Sequence, residues 1–180
     1  MQDPSAHIDT RAVHEGVYAD STFGSVTTPI YPASTFAFPN PGDPPRFNYG
    51  RCDHPTREAL QQNLASLEGG YRAWATVSGM AAVQAVMFLL RAGDHVVCGH
   101  DAYAGTLRLF RRLLERFGIS FSLVPIDDPA AVRGAVRAET RRIWIETPTN
   151  PMMRVADIGA LCGSARERGL LSVVDNTFLT

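Results

Sequence analysis

The spacing of apolar positions along the chain changes at Pro55. Before it, residues 1 to about 50 show no helical period and carry seven of the 12 prolines, so we expect no compact core there. The segment is also too apolar for a solvated tail. Its aromatic and large aliphatic residues are Tyr18, Phe23, Ile30, Tyr31, Phe36, Phe38, Phe47 and Tyr49. We therefore expect residues 1–54 to form an extended N-terminal arm that docks on another surface, in its own subunit or in a neighbouring one.

From Pro55 onward, helical and strand patterns alternate. Pro55 suits the first turn of a helix, in which Leu60, Leu64 and Leu67 recur at helical spacing. The segments predicted after it are a strand at 74–77, a helix at 78–90, a strand at 94–98, a helix at 103–117, a strand at 121–124, a helix at 129–138, a strand at 143–145, a helix at 158–168 and a strand at 170–175. This alternation predicts an α/β domain over residues 55–180, with a mostly parallel sheet and helices on both faces.

The last predicted strand ends in a carboxylate. Leu171, Val173 and Val174 make the strand too apolar for an edge position, and Asp175 follows directly. Ligands of open α/β sheets bind beyond the carboxyl ends of the strands, and an Asp backed by apolar residues there suits a buried cationic nitrogen. On this stretch alone, an Asp that caps the next segment is an equally good interpretation.

The composition is that of an ordinary globular protein. The 180 residues are 45% hydrophobic and 19% charged with a net charge of -1, which gives no argument for nucleic acid or a membrane surface as a partner. No apolar run approaches the ~18 residues of a transmembrane helix, and the N-terminus lacks the pattern of a secretory signal. Cys52, Cys98 and Cys162 are scattered without metal-ligand spacing, which favours reduced thiols in a cytoplasmic protein.

Further candidate residues follow predicted strands. Ser78, Gly79 and Met80 open a helix, where free N–H groups form an anion site suited to phosphate. Tyr103 could stack on a planar ring, and Asn150 could donate a hydrogen bond to a ring oxygen or a substrate. Each has a simpler interpretation, namely a tight glycine turn, a core aromatic residue and ordinary Asx-Pro turn chemistry.

Tyr49 and Arg51 stand two residues apart at the end of the arm. In an extended chain their side chains lie on the same face, so the guanidinium and the phenol could both bind one phosphate. The simpler interpretation is that both are surface residues without a function. An anion site, a stacking aromatic ring, an amide and a carboxylate at one sheet edge together describe a phosphorylated, flat, protonated heterocycle. Pyridoxal 5'-phosphate is the candidate cofactor.

The order of several motifs resembles the pyridoxal-phosphate enzymes of cysteine and methionine metabolism. The match runs over nearly the whole chain, and its motifs are TTPIYPASTF, YGRCDHPTRE, SGMAA, AGDHVVCGHDAYAGT, WIETPTNP and VVDNTF. The family includes cystathionine γ-synthase, cystathionine γ-lyase, cystathionine β-lyase, methionine γ-lyase and O-acylhomoserine sulfhydrylases. The resemblance implies the large domain of a fold-type I pyridoxal-phosphate transferase.

By this resemblance, two residues are expected to take part in catalysis. Asp175 pairs with the pyridinium nitrogen, and Tyr103 stacks on the ring and assists proton transfer. The resemblance also implies that Tyr49 and Arg51 reach the phosphate in a neighbouring subunit, so that a dimer or a dimer of dimers shares its active sites. The remaining implied cofactor contacts are Ser78, Gly79, Met80, Asn150 and Thr177.

The sequence departs from the family pattern in four respects. Gly50 stands where the family usually has Ser or Thr, and His54 stands where it has Asn. Gly105 resembles the cystathionine enzymes, whereas methionine γ-lyases tend to carry Cys. All 17 basic residues are arginine, whereas the family's Schiff-base lysine and its arginine for the substrate carboxylate follow the VVDNTF motif. We therefore expect these residues to be the N-terminal portion of the domain, which ends before that lysine.

Three hypotheses follow from the sequence. The first is a lyase or transferase that acts on sulfur amino acids by elimination or replacement, with γ-carbon chemistry favoured over β by Gly105. The second is a truncated or split non-catalytic subunit, which would need a partner or downstream chain for the lysine. A nucleotide-binding α/β domain is disfavoured, because neither a GxGxxG nor a GxxxxGK[ST] motif is present.

Overall fold

The chain divides into two units, Met1–Val77 and Ser78–Thr180. The computed structural model describes residues 5–17, 20 and 22–179, so Tyr18 of the predicted arm lies outside the described residues. The division falls at Ser78, whereas the sequence pattern placed the start of the α/β domain at Pro55. The helix that begins at Pro55 therefore groups with the N-terminal residues.

Two helices organise the described part of the first unit. α1 spans Ile8–His14, and α2 spans Pro55–Leu67, as its leucine spacing predicted. The side-chain amide of Asn63 in α2 donates to three carbonyl oxygens at the end of α1, at 3.0, 3.1 and 3.3 Å, and so supplies partners for groups that a helix end leaves free. α1 was not predicted, because its seven residues are too few to establish a helical period.

The remaining described residues of this unit are irregular. Between 22 and 54 the backbone forms only isolated bridges, which pair Thr35 with Tyr49 and Asn40 with Asp43. The strand predicted at 74–77 is wrong: the N–H of Ala75 donates to a side chain, Oε1 of Gln61, at 2.9 Å instead of to a neighbouring strand. An apolar run without a partner strand does not form a sheet.

Four parallel strands form the sheet of the second unit. They are β1 His95–Gly99, β2 Ser120–Val124, β3 Thr140–Glu146 and β4 Leu171–Asp175, in the spatial order β2-β1-β3-β4. The connecting helices are α3 Gly79–Met87, α4 Ala104–Arg112, α5 Pro129–Gly134 and α6 Ile158–Glu167, and a short 3-10 helix, Leu114–Phe117, follows α4. The α/β alternation predicted after residue 78 is confirmed, although α3, α4 and α5 end three to five residues earlier than expected and α6 ends one residue earlier.

Helices cover both faces of this sheet, as predicted. On one face, Val96 and Cys98 of β1 pack in a core with Phe110 of α4 and with α3. On the other face, Val97 packs in a second core with Leu161 of α6 and with α5. The alternation of strand side chains between faces therefore assigns each helix pair to its own layer.

β4 forms one edge of the sheet. Among the described residues it pairs with β3 alone, and Leu171 is 61% exposed. The prediction of a strand here is confirmed, and its outer side is exposed because no further described strand pairs with it. In the described part of the chain, no helix has both the length and the apolar character needed to cross a bilayer.

His95 joins three strands at the opposite end of the sheet. Its Nδ1 lies 2.8 Å from Oγ1 of Thr140 in β3, and its Nε2 lies 3.0 Å from Oγ of Ser122 in β2. Burial, and then the charge of Arg137, lower the pKa of this imidazole. The ring therefore connects β1 to β2 and β3 through hydrogen bonds, and its burial disfavours the charged form.

Candidate active site

A cavity of about 380 Å³ opens at the carboxyl ends of the strands. β1 and β3 are neighbours, but the chain passes from β1 outward to β2 and from β3 outward to β4. Such a reversal leaves a crevice beyond the strand ends, where open α/β sheets bind their ligands. The lining residues are Ser78, Gly79, Met80, Val83, Tyr103, Thr106, Glu146, Pro148, Asn150, Asp175, Thr177 and Phe178. All the predicted site residues of the second unit are among them.

The first turn of α3 contributes backbone donors to the cavity. The side chain of Ser78 accepts a hydrogen bond from the N–H of Ala81 at 3.2 Å and so caps the helix. Among the described residues, the N–H groups of Gly79 and Met80 have no acceptor. Free amides at a helix start attract an anion, and phosphate suits them well.

Tyr103 is placed by the start of α4, where it is the N-cap residue. Its ring is 46% exposed and lies over Gly105: a Cβ built at that glycine would be 2.4 Å from Cε1 of Tyr103 and 3.1 Å from Sδ of Met80. Because residue 105 has no side chain, the Tyr103 ring can occupy this space and line the cavity. A ring placed in this way can lie against a flat ligand.

Asp175 ends β4 and presents a carboxylate to the cavity. Its Oδ1 accepts hydrogen bonds from the backbone N–H of Thr177 at 3.2 Å and from the hydroxyl of Thr177 at 2.6 Å. Among the described residues, both hydrogen bonds to the side-chain carboxylate go to this oxygen. Oδ2 is therefore available to a cationic nitrogen, while Thr177 fixes the orientation of the group.

Glu146 is a site residue that the sequence reasoning missed. It ends β3, is 5% exposed, and stands opposite Asp175 in the strand register. Its Oε2 accepts from the N–H of Tyr103 at 2.7 Å, and its Oε1 accepts from the N–H of Asn150 at 3.0 Å. Burial raises the pKa of Glu146, the two N–H groups oppose this, and the charges of Asp175 and Asp101 raise the pKa further.

The loop that carries Asn150 is held by a polar network beside the cavity. The hydroxyl of Thr149 donates to Oδ2 of Asp101 at 2.9 Å, and Nε of Arg154 lies 3.3 Å from the same oxygen. The N–H of Thr149 donates to the carbonyl of Arg154 at 3.0 Å, which closes the loop. The carboxyl ends of β1 and β3 are thereby connected twice, once by Glu146 and once by Asp101.

Thr106 adds a polar atom that has no partner. The residue is fully buried in α4, lines the cavity, and its Oγ1 makes no hydrogen bond among the described residues. A buried hydroxyl without a partner costs free energy that a polar ligand can recover. No feature of the sequence distinguished Thr106 from an ordinary helix residue.

Tyr49 and Arg51 belong to the first unit, where they contact each other. The Arg51 guanidinium lies 4.9 Å from the centre of the Tyr49 ring and donates a hydrogen bond to its hydroxyl. A tight turn brings them together, since the N–H groups of Cys52 and Asp53 both donate to the carbonyl of Tyr49. The predicted pairing is therefore present, but it arises from a turn and not from extended chain.

The sequence model of one family, described as Cys/Met metabolism PLP-dependent enzyme, matches residues 9–180. The chain belongs to this family. Its pyridoxal-phosphate cofactor fits the cavity, because free amides for a phosphate, an exposed aromatic ring and an open carboxylate oxygen all line the same space.

Individual relatives agree with this assignment. The chain is 48% identical over 169 residues to a probable cystathionine gamma-synthase of Herpetosiphon aurantiacus, covering 94% of this chain and 53% of that protein. It is 43% identical to the cystathionine beta-lyase of Coxiella burnetii, covering 97% and 46%. The crystal structure of cystathionine gamma-lyase from Lactobacillus plantarum, complexed with L-serine, matches with a TM-score of 0.89 at 40% identity, covering 97% and 46%. The chain thus spans about half the length of these relatives.

Proposed function

We propose that this protein is a pyridoxal-phosphate-dependent enzyme that acts on sulfur amino acids by elimination or replacement at the γ or β carbon. One observation carries the proposal: the amides of α3, the ring of Tyr103 and the carboxylate of Asp175 line one cavity at the reversal of strand order. Membership in the family supports the cofactor. The names of the relatives, which are synthases and lyases of cystathionine, support the substrate class.

Phosphate binding is assigned to the start of α3. The N–H groups of Gly79 and Met80 donate to phosphate oxygens, and the positive end of the helix dipole favours the negative charge. Ser78 keeps this turn in place through its bond to Ala81. Because the start of α3 and Asp175 line the same cavity, a phosphate held by these amides would leave Asp175 within the space occupied by the rest of the ligand.

Asp175 would hold a proton on the nitrogen of the cofactor ring. The carboxylate and the cation form a charge-assisted hydrogen bond, with Thr177 keeping the other oxygen in place. When bound, pyridoxal phosphate supplies an electron sink for the electron pair released at the α carbon of the substrate, and a protonated ring nitrogen strengthens that sink.

Tyr103 and Asn150 orient the ring and the reacting groups. Tyr103 lines the cavity, where its ring would lie against the face of the cofactor and its hydroxyl would carry a proton at the leaving sulfur. The side-chain amide of Asn150 donates to a ring oxygen. Gly105 leaves room for the Tyr103 ring, and its resemblance to the cystathionine enzymes is the reason for favouring γ-carbon chemistry over β.

Assembly is the second part of the proposal. The Tyr49–Arg51 pair binds the phosphate in a neighbouring subunit, and residues 1–54 dock there as an arm, in a dimer or a dimer of dimers. The exposed guanidinium of Arg51 and its contact with Tyr49 support this role, because together they offer one charged and one neutral donor. Three free cysteines support a cytoplasmic setting.

A non-catalytic subunit is the second candidate function. It applies to these 180 residues taken by themselves, which contain no lysine, whereas a covalent cofactor link needs a lysine ε-amine near the ring. Its cavity would then bind the cofactor without turning over a substrate.

The deciding experiment combines cofactor binding with turnover of L-cystathionine in the full-length protein. The unmodified protein should bind pyridoxal phosphate and release a 2-oxo acid. Asp175→Asn should lower turnover about 10- to 150-fold, the equivalent of one charge-assisted hydrogen bond of roughly 1.5–3 kcal/mol.

Asp157→Asn is the matched control, because Asp157 is an exposed carboxylate that caps α6. Its turnover should equal that of the unmodified protein. Binding of pyridoxal phosphate without turnover by either elimination or replacement would favour the non-catalytic candidate, and an Asp175→Asn enzyme as active as the control would contradict the assignment of Asp175.

A further inference from the structure

Glu146 uses both oxygens of its carboxylate to join the two loops that frame the cavity. Oε2 accepts from the N–H of Tyr103 at 2.7 Å, and Oε1 accepts from the N–H of Asn150 at 3.0 Å. Tyr103 begins α4 after β1, whereas Asn150 lies in the loop after β3. One buried side chain therefore connects two segments that are distant in sequence and that both contribute to the site.

This arrangement requires a group with two acceptors. A carboxylate offers two acceptor oxygens, whereas the amide of glutamine offers one acceptor and one donor. A glutamine at 146 would place its NH₂ against the N–H of either Tyr103 or Asn150. One of the two loops would then lose its bond to β3.

The position is also costly for a negative charge. Glu146 is almost completely buried, and burial is the main cause that raises its pKa. The titratable or charged groups around it are Cys98 of β1, Asp101 and Tyr103 after β1, Arg154 behind Asp101, and Asp175 of β4. Asp101 and Asp175 both oppose ionisation of Glu146, so the two N–H donors are the groups that stabilise the carboxylate.

We propose that Glu146 is a positioning residue whose two-oxygen bridge fixes the start of α4, and with it the Tyr103 ring, relative to the loop of Asn150. The ring then meets a flat ligand without a prior ordering step, which lowers the cost of binding. The identity of that ligand rests on the proposed function, but the bridge itself does not.

The first test follows the two amides directly. In full-length protein with ¹⁵N-labelled tyrosine and asparagine, the amide signals of Tyr103 and Asn150 should follow one shared titration curve as the pH is varied. Its midpoint should lie above the ordinary value of 4.5 for Glu, and the curve should disappear in Glu146→Gln. Separate curves, or no pH response at either amide, would overturn the bridge.

A ligand supplies a second readout of the same group. Binding of pyridoxal phosphate should move the shared midpoint to lower pH, because a cation paired with Asp175 cancels the repulsion that raises the pKa of Glu146. An unchanged midpoint in the loaded protein would contradict the coupling of Glu146 to the site.

The positioning role is tested by affinity. Glu146→Gln should weaken the binding of pyridoxal phosphate about tenfold, the order expected for one lost hydrogen bond in a buried site. Asp128→Asn is the control, because Asp128 also accepts two backbone N–H groups, from Ala130 and Ala131, but at the start of α5 outside the cavity lining. It should lose some stability and no affinity.

The outcomes separate the two proposals. Full affinity in Glu146→Gln, or an equal loss in both variants, would refute the positioning role. If the unmodified protein does not bind pyridoxal phosphate at all, the proposed function fails, while the shared titration of the two amides still decides whether the bridge exists.

Discussion

Gly105→Ala is a one-methyl test of how the site places its aromatic ring. The new Cβ would lie 2.4 Å from Cε1 of Tyr103 and 3.1 Å from Sδ of Met80. Ordinary contact begins at 3.4 Å, so the ring must move by about 1 Å. Because the ring is half-exposed, it can swing outward into solvent without moving the helix.

The displacement has opposite effects on ligand affinity and on stability. An aromatic contact is worth about 0.5–1.5 kcal/mol, so losing it should weaken the affinity for pyridoxal phosphate about 2- to 13-fold. The backbone of Gly105 is not left-handed, and alanine within a helix is favoured over glycine by roughly 0.5–1 kcal/mol. The free energy of unfolding should therefore rise slightly while the affinity falls.

The assay pairs an equilibrium titration of the cofactor with denaturant unfolding, and it includes a glycine control. Gly163 lies within α6, and a Cβ there would have nothing within 4 Å. Gly163→Ala should gain similar stability and keep the full affinity. If Gly105→Ala binds the cofactor as tightly as Gly163→Ala, the ring position does not depend on the space at 105 and the reasoning is refuted.

Three further predictions use other parts of the chain. Burial and Arg137 lower the pKa of His95 below 6.5, so just below that pH the unfolded chain binds a proton that the folded chain does not. The free energy of unfolding should therefore fall below pH 6.5 by up to about 1.4 kcal/mol per pH unit. Urea unfolding measured at several pH values should show that the free energy of unfolding of His95→Gln depends less on pH. Arg51→Ala should weaken the binding of pyridoxal phosphate. If subunits exchange, mixing Arg51→Ala with Asp175→Asn subunits should restore some turnover. Unchanged cofactor affinity in Arg51→Ala would contradict the proposal that Tyr49 and Arg51 bind the phosphate. The 180 residues expressed alone contain no lysine, so borohydride should fix no pyridoxal group to a side chain, and mass spectrometry of the reduced protein checks this.

The architecture of the second unit could be predicted from the sequence because each strand is short and apolar and each helix is amphipathic or apolar. The ends of these strands then placed Asp175, Tyr103 and Asn150 at one edge, since parallel strands bring their carboxyl ends together. All three line the cavity. The reversal of strand order that opens the cavity could not be predicted, because it depends on which strands pair.

Glu146 shows what the sequence reasoning overlooked. It follows an apolar strand in the same way as Asp175, and the two carboxylates stand opposite each other in register. The same pattern could therefore have identified it, but Glu146 was interpreted as the beginning of a loop. Thr106 carried no comparable signal, because the burial of its hydroxyl depends on how α4 packs.

Errors in the fold have a common physical cause. The apolar run at 74–77 has strand composition but no neighbouring strand, and the short helix α1 is stabilised by Asn63, which lies far away in sequence. In each case, tertiary partners decide the outcome, and local patterns do not reveal them.

The edge position of β4 has a thermodynamic consequence for ligand binding. Asp175 is the last residue of a strand that, in the described structure, is hydrogen-bonded on one side only. Any segment that paired with the outer side of β4 would hold Asp175 more firmly and so increase the affinity of a cation for it. By the reciprocity of linked equilibria, the bound cation would strengthen that pairing by the same factor. Pairing along the outer side of β4 and occupation of the site would then be thermodynamically coupled.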